Sequence, residues 1–201
     1  MKRIFLFLLC SALNFAFAQK DIEYIKTGEA QLEKGNYDLA YNEFKNAVSA
    51  NSKNPQAYYQ KGRALLYLGK FSEAKKDFDK AIELAPNTSA YYNLRGAALE
   101  NLGDTISAIK NYNKSISIDS SDARGYISLS RLFESQNKLK EALSVVNIGI
   151  KRSTNQLTLF AIKGDVLQSM HDTTSAIAAY KSALGKDSLY FGANYSLALI
   201  C

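Results

Sequence analysis

Residues 55–88 read PQAYYQKGRALLYLGKFSEAKKDFDKAIELAPNT, and their spacing decides the fold. Tyr58, Gly62 and Leu65 recur at steps of four and three, which places them on one face of a helix. Phe71, Ala74, Phe78, Ala81 and Ile82 recur at steps of three and four on a second helix. Gly69 lies between the two runs, where a residue tolerant of left-handed backbone ends a helix. The stretch therefore predicts two helices joined by a tight turn.

The same pattern returns every 34 residues, in blocks 21–54, 55–88, 89–122, 123–156 and 157–190. The fourth position of the blocks holds Tyr24, Tyr58, Tyr92, Tyr126 and Phe160, and the eighth Gly28, Gly62, Gly96, Ser130 and Gly164. The twentieth is Ala40, Ala74, Ala108, Ala142 and Ala176, followed four residues on by Phe44, Phe78, Tyr112, Val146 and Tyr180. Position 27 is small (Ala47, Ala81, Ser115, Gly149, Ala183) and position 28 branched (Val48, Ile82, Ile116, Ile150, Leu184). Gly35, Gly69, Gly103, Asn137 and His171 mark the turn within each block. Small side chains let helix backbones approach, and aromatic or branched ones fill the gaps between them. Bulk at Ala74 or Ala108 is expected to overpack the junction at a cost of about 1–3 kcal/mol.

With these landmarks in register across 21–190, the chain resembles the tetratricopeptide repeat (TPR) family, the second block most closely, through Pro86 at its end. The departures are Gln31 for an apolar residue, Ser130 for glycine, and no block-end proline elsewhere; they are expected to loosen packing locally. The resemblance implies an all-α, right-handed superhelical solenoid of helix–turn–helix units. It also implies a concave groove that binds peptides or proteins, lined by the first helix of each pair at block positions 2, 5, 9, 12 and 13. A repeat architecture is specific for fold and says nothing of chemistry.

Among those positions the second block stands out. Tyr59, Arg63 and Tyr67 follow one another at steps of four and occupy none of the core positions. Tyrosine and arginine are the side chains most enriched at binding hot spots. Asn93, Arg124 and Arg131 extend the candidate groove, with Glu29 and Glu33 supplying the opposite charge in the first block. The expectation is that Tyr59, Arg63, Tyr67, Asn93, Arg124 and Arg131 carry partner recognition; the alternative is that they are solvated, self-packing surface residues. The family's carboxylate clamp of lysine, arginine and asparagine is absent, since the matching places hold Ile25, Glu29, Ala90 and Leu94.

Residues 1–18 read as a cleaved secretory signal: Lys2 and Arg3, an apolar run from Ile4 to Phe17, and the small-x-small Ala16-Phe17-Ala18. The run is too short for a membrane span of roughly 20 apolar residues, so none is expected in the mature chain. Cys10 follows Leu9 rather than a small residue, which speaks against a lipoprotein signal. Export to the periplasm or cell envelope is the expected localisation, with secretion as a variant of it. The full chain has 25 Lys and Arg against 19 Asp and Glu; losing Lys2 and Arg3 leaves 23 and a charge of +4. These charges are interspersed, without the basic stripe that nucleic-acid binding requires. Only Cys201 survives cleavage, so no intrachain disulfide is available and packing must supply the stability.

The composition, 47% hydrophobic and 22% charged, excludes a disordered chain and a multi-span membrane protein. Catalytic and metal-binding constellations are not found. His171 stands in a turn without a second histidine, Gly62 to Lys70 has the wrong spacing for a phosphate loop, and Asp77 and Asp79 sit on a polar helix face. Asn87, Asn113 and Asn194 head Asn-x-Ser triplets read as coincidence. No cofactor and no metal is expected. Residues 191–201 begin a sixth block that is strongly apolar (Phe191, Ala193, Leu197, Ala198, Leu199, Ile200) and stops at Cys201. A solenoid end needs a polar cap. Either the natural chain is longer, the favoured reading, or 191–201 is buried by a partner or by self-association. The expected function is a non-enzymatic scaffold binding a protein or peptide. The alternative is the extracytoplasmic sensor part of a longer membrane signalling protein.

Overall fold

The structure, a computed structural model, describes residues 20–200; the expected signal segment 1–18 and Cys201 lie outside them. Among the described residues there are eleven helices and no strand. They are α1 (residues 20–33), α2 (Tyr37–Ala50), α3 (Pro55–Tyr67), α4 (Phe71–Leu84), α5 (Ser89–Asn101), α6 (Thr105–Ile118), α7 (Ala123–Ser135), α8 (Leu139–Arg152), α9 (Leu157–Ser169), α10 (Thr173–Leu184) and α11 (Phe191–Ile200). Among the described residues no helix is long and apolar enough to cross a membrane.

Two compact units divide the chain, one ending at Asp104 and one beginning at Thr105. In the first, α3 packs against α2, α4 and α5. Helix α1 joins through Ile25, which clusters with Ala47 and Ala57, and through Leu32 beside Ala40, Phe44 and Ala64. In the second, α7 touches α6, α8 and α9, while α9 touches α8, α10 and α11. Within each unit the odd-numbered helices thus touch one another and form one layer, with the even-numbered helices behind.

The invariant alanines explain how closely these layers meet. Ala40, Ala74, Ala108, Ala142 and Ala176 are all fully buried, as are Phe44, Phe78, Val146 and Tyr180. Each odd-to-even turn closes in the same way. After α3, the Lys70 N–H donates to the Leu65 carbonyl at 2.8 Å and the Gly69 N–H to the Leu66 carbonyl at 3.0 Å, with Gly69 at φ 71°. That pair of bonds satisfies carbonyls a helix end otherwise leaves open, and it requires left-handed backbone at residue 69. Asn137 (φ 58°) and His171 (φ 61°) hold the same conformation in the second unit, so His171 is a turn residue there. Even-to-odd connections are pinned differently: the Tyr92 hydroxyl donates to the Pro86 carbonyl at 3.0 Å, and Tyr126 to Ser120 at 3.3 Å.

Candidate functional site

Helix α3 starts firmly, with Pro55 in its first turn and the Asn54 side chain accepting from the Gln56 N–H at 2.9 Å. Proline at the first position and asparagine at the cap are both favoured there, because the first N–H groups lack helical partners. One turn in, Gln60 is buried, and its amide joins two helices. Its Nε2 donates to Glu29 Oε1 on α1, and its Oε1 accepts from Arg63 Nη1 at 2.7 Å. The Arg63 guanidinium also lies 5.8 Å from the centre of the Tyr59 ring, a cation–π arrangement. Arg63 is therefore held in place before any ligand arrives. One turn further, Tyr67 is 56% exposed and stacks on Tyr37, with ring centres 4.7 Å apart and planes 6° from parallel.

Arg63 and Tyr67 form a ridge between two clefts of about 370 Å³ each. On the α1 side the walls are Glu29, Leu32 and Glu33. On the α5 side they are Leu66, Phe71, Leu94, Ala97 and Asn101. One cleft is acidic and the other mainly apolar, and the same two side chains border both.

The second unit presents different chemistry. Arg124 is exposed and folds back on Asp122, the residue that caps its own helix, with Nη2 to Oδ2 at 2.6 Å and Nε to both oxygens at 2.9–3.0 Å. Burial alone raises the Asp122 carboxyl, but the hydrogen bonds and charge of Arg124 outweigh it and hold the group below its ordinary range. Arg131 is exposed on the same helix. Nearby Glu134 accepts from the Ser169 hydroxyl at 3.2 Å, and burial, reinforced by Asp165, pushes its carboxyl up despite that bond. The Tyr180 hydroxyl donates to Asp165 Oδ1 at 2.7 Å; burial and that carboxylate both push the phenol up.

Three models of the tetratricopeptide repeat match the sequence, over residues 25–66, 55–88 and 89–122. The chain is a tetratricopeptide repeat protein. No curated protein sequence matches it significantly. Among solved structures, it is similar to TTC0263, a thermophilic TPR protein of Thermus thermophilus, at 17% identity over 90% of this chain and 98% of that one, with TM-score 0.76. It is also similar to YrrB, described as a TPR protein with an unusual peptide-binding site, at 17% identity over 91% and 98% of the two chains, TM-score 0.59. The first TPR domain of Spaghetti (RPAP3), bound to the HSP90 peptide SRMEEVD, aligns at 24% identity over 59% of this chain and 94% of that one, TM-score 0.56. At these identities the likeness concerns the fold.

In repeat terms, two of the six expected groove residues are placed differently. Tyr59 is half-buried and packs on the core cluster of Leu65, Ala74, Phe78 and Ala98, its ring 6.2 Å from Phe78 and 5.0 Å from Tyr91. Asn93, at the same repeat position, is only 6% exposed, and Ile25 is 8% exposed. Ile25 packs on Ala57 of α3, and Tyr59 on Tyr91 of α5, so in the first two repeats position five faces the next first helix and serves packing. Arg63 and Tyr67, at positions nine and thirteen, do line open clefts. Arg124 and Arg131 belong to the second unit, and Arg124 is engaged with Asp122. The spacing does not mark Phe71 as a cleft wall, because it begins the second helix of its pair at a core position.

Proposed function

We propose that this TPR protein is a non-enzymatic scaffold that holds a peptide or protein segment against Arg63 and Tyr67 in the groove of its first unit. The observation that carries the reading is the ridge itself: a fixed guanidinium and an exposed, stacked tyrosine flanked by two clefts on the layer of first helices. Such a surface needs little ordering on binding, which limits the entropic cost of complex formation. The peptide-binding site of YrrB and the peptide bound by Spaghetti support the use of this fold for the purpose. Work is done by presentation of the groove, without bond making and without a cofactor.

The N-terminal pattern of Lys2-Arg3, apolar run and Ala16-Phe17-Ala18 supports operation in the periplasm or cell envelope. Intact mass from the native source tests this: a chain beginning at Gln19 agrees, and a chain retaining residues 1–18 does not.

Panning a random twelve-residue phage library on the purified chain tests the groove. Recovery of peptides whose capture is lost in Arg63→Ala and Tyr67→Ala, with the helical circular-dichroism signal retained and unfolding still cooperative, supports the assignment. Capture indifferent to both substitutions contradicts it.

A further inference from the structure

The two clefts differ in chemistry, and the difference selects a ligand. We infer that the groove takes an extended segment with an apolar side chain two or three residues from a single basic one. The inference rests on the groove reading above and specifies its occupant. The α3–α5 cleft is walled by Leu66, Phe71, Leu94 and Ala97, with polar groups supplied by Arg63, Tyr67 and Asn101 at its border. That is a seat for an aliphatic or aromatic side chain.

Across the ridge, the charged groups lining the α1–α3 cleft are Glu29, Glu33 and Arg63, so carboxylates outnumber cations there. Arg63 already shares its guanidinium with Gln60 Oε1 and the Tyr59 ring. An acidic ligand group reaching for Arg63 would be set beside Glu29 and Glu33, and like charges brought together in a cleft are strongly disfavoured. A lysine or arginine meets both carboxylates instead. Glu29 is fixed by its bond from Gln60, and Glu33 is exposed and available.

The spacing follows from helix packing. Neighbouring helix axes lie about 8–10 Å apart. An extended chain advances about 3.3 Å per residue, so side chains two or three positions apart reach adjacent clefts. The formal charge of the whole chain is +6, so the attraction is local and favours one basic residue over a basic run.

The test uses the full chain and the peptides from the library whose capture depends on Tyr67. They are expected to be enriched about tenfold over the unselected library in Lys or Arg two or three positions from Leu, Ile, Met or Phe, consistent with a charge contact of ordinary strength. Selection on the Glu33→Lys chain should instead recover peptides with Asp or Glu at that position. Tyr67-dependent peptides that are acidic or neutral on the original chain, or a Glu33→Lys chain with unchanged preference, would overturn the inference and leave the groove standing. Failure to recover any Tyr67-dependent peptide would count against the groove itself, and the inference would fall with it.

Discussion

Gly62 on α3 lies directly beneath the ring of Phe78 on α4: a Cβ at residue 62 would stand 2.7 Å from Cε1 and 2.9 Å from Cζ. Gly28 and Phe44, and Gly164 and Tyr180, repeat the relationship sixteen residues apart, at 2.5 and 2.4 Å. The aromatic ring therefore needs a bare backbone opposite it. In the fourth repeat glycine gives way to Ser130, and the residue sixteen positions on is the smaller Val146; both are fully buried. The Ser130 hydroxyl donates to the Ile127 carbonyl at 3.0 Å, so its polar atom is satisfied.

Gly62→Ala is accordingly expected to destabilise the fold. Overpacking costs about 1–3 kcal/mol, against which alanine's better helix propensity returns up to about 1 kcal/mol. Thermal or urea unfolding measures the net loss. The double variant Gly62→Ala with Phe78→Leu should lose less than the two single variants combined, because the smaller side chain relieves the clash.

Tyr59 and Tyr67 sit two turns apart on one helix and should respond in opposite ways. Tyr59→Ala removes a half-buried ring packed on Phe78 and Tyr91, with an expected loss of about 2–4 kcal/mol by comparison with buried aromatic truncations. Tyr67→Ala gives up one stacked contact with Tyr37, worth no more than about 1.5 kcal/mol. Its main effect should appear in peptide capture, measured by fluorescence anisotropy alongside melting curves.

At the turns, Asn137 and His171 carry the left-handed backbone that Gly69 carries in the second repeat. That conformation strains a residue with a Cβ by about 1–2 kcal/mol, asparagine less than histidine. His171→Gly is expected to raise stability by up to about 1 kcal/mol, Asn137→Gly to change it little, and Gly69→Ala to lower it by about 1 kcal/mol. Chemical denaturation of the three variants ranks them.

Two aspartates should titrate on opposite sides of the ordinary value of 3.8. Burial pushes Asp77 above it despite the Lys61 ammonium at 2.9 Å, whereas Arg124 brings Asp122 below it. A depressed carboxyl stabilises the fold above its unfolded value and loses that contribution as pH falls through the folded one. For Asp77 the sign reverses: its ionisation weighs against the fold as pH rises from 3.8 through its folded value. Carboxyl-carbon NMR reads both directions. Asp122→Ala, which also removes the α7 cap, should cost about 1 kcal/mol near neutrality. That gap should close in acid.

Helix pairing was legible because its signal is redundant: the alternation of small and large residues at Ala74, Phe78 and Ala81 recurs in every block, and a turn of glycine, asparagine or histidine keeps one backbone shape. The groove was legible only in part. One step along a helix rotates a side chain by about 100°, so positions five and nine share a face only roughly. Which of them is covered depends on how the next helix pair crosses. Tyr91 and Phe78 close over Tyr59, whereas Tyr67 stacks on Tyr37 and stays 56% exposed, a distinction that spacing along one helix does not contain. Nor does it contain the Glu29–Gln60–Arg63 chain, which spans two helices, or the role of Phe71, whose place at the start of α4 brings it to the cleft.

Hydrogen exchange of the chain with and without a library-selected peptide tests the central claim most directly. Binding against the Arg63–Tyr67 ridge should add protection in α1, α3 and α5, around Glu29, Arg63, Tyr67 and Leu94, and leave α2 and α4 away from Tyr37 and Phe71 unchanged. Protection confined to the even-numbered helices, or to the second unit alone, would contradict it.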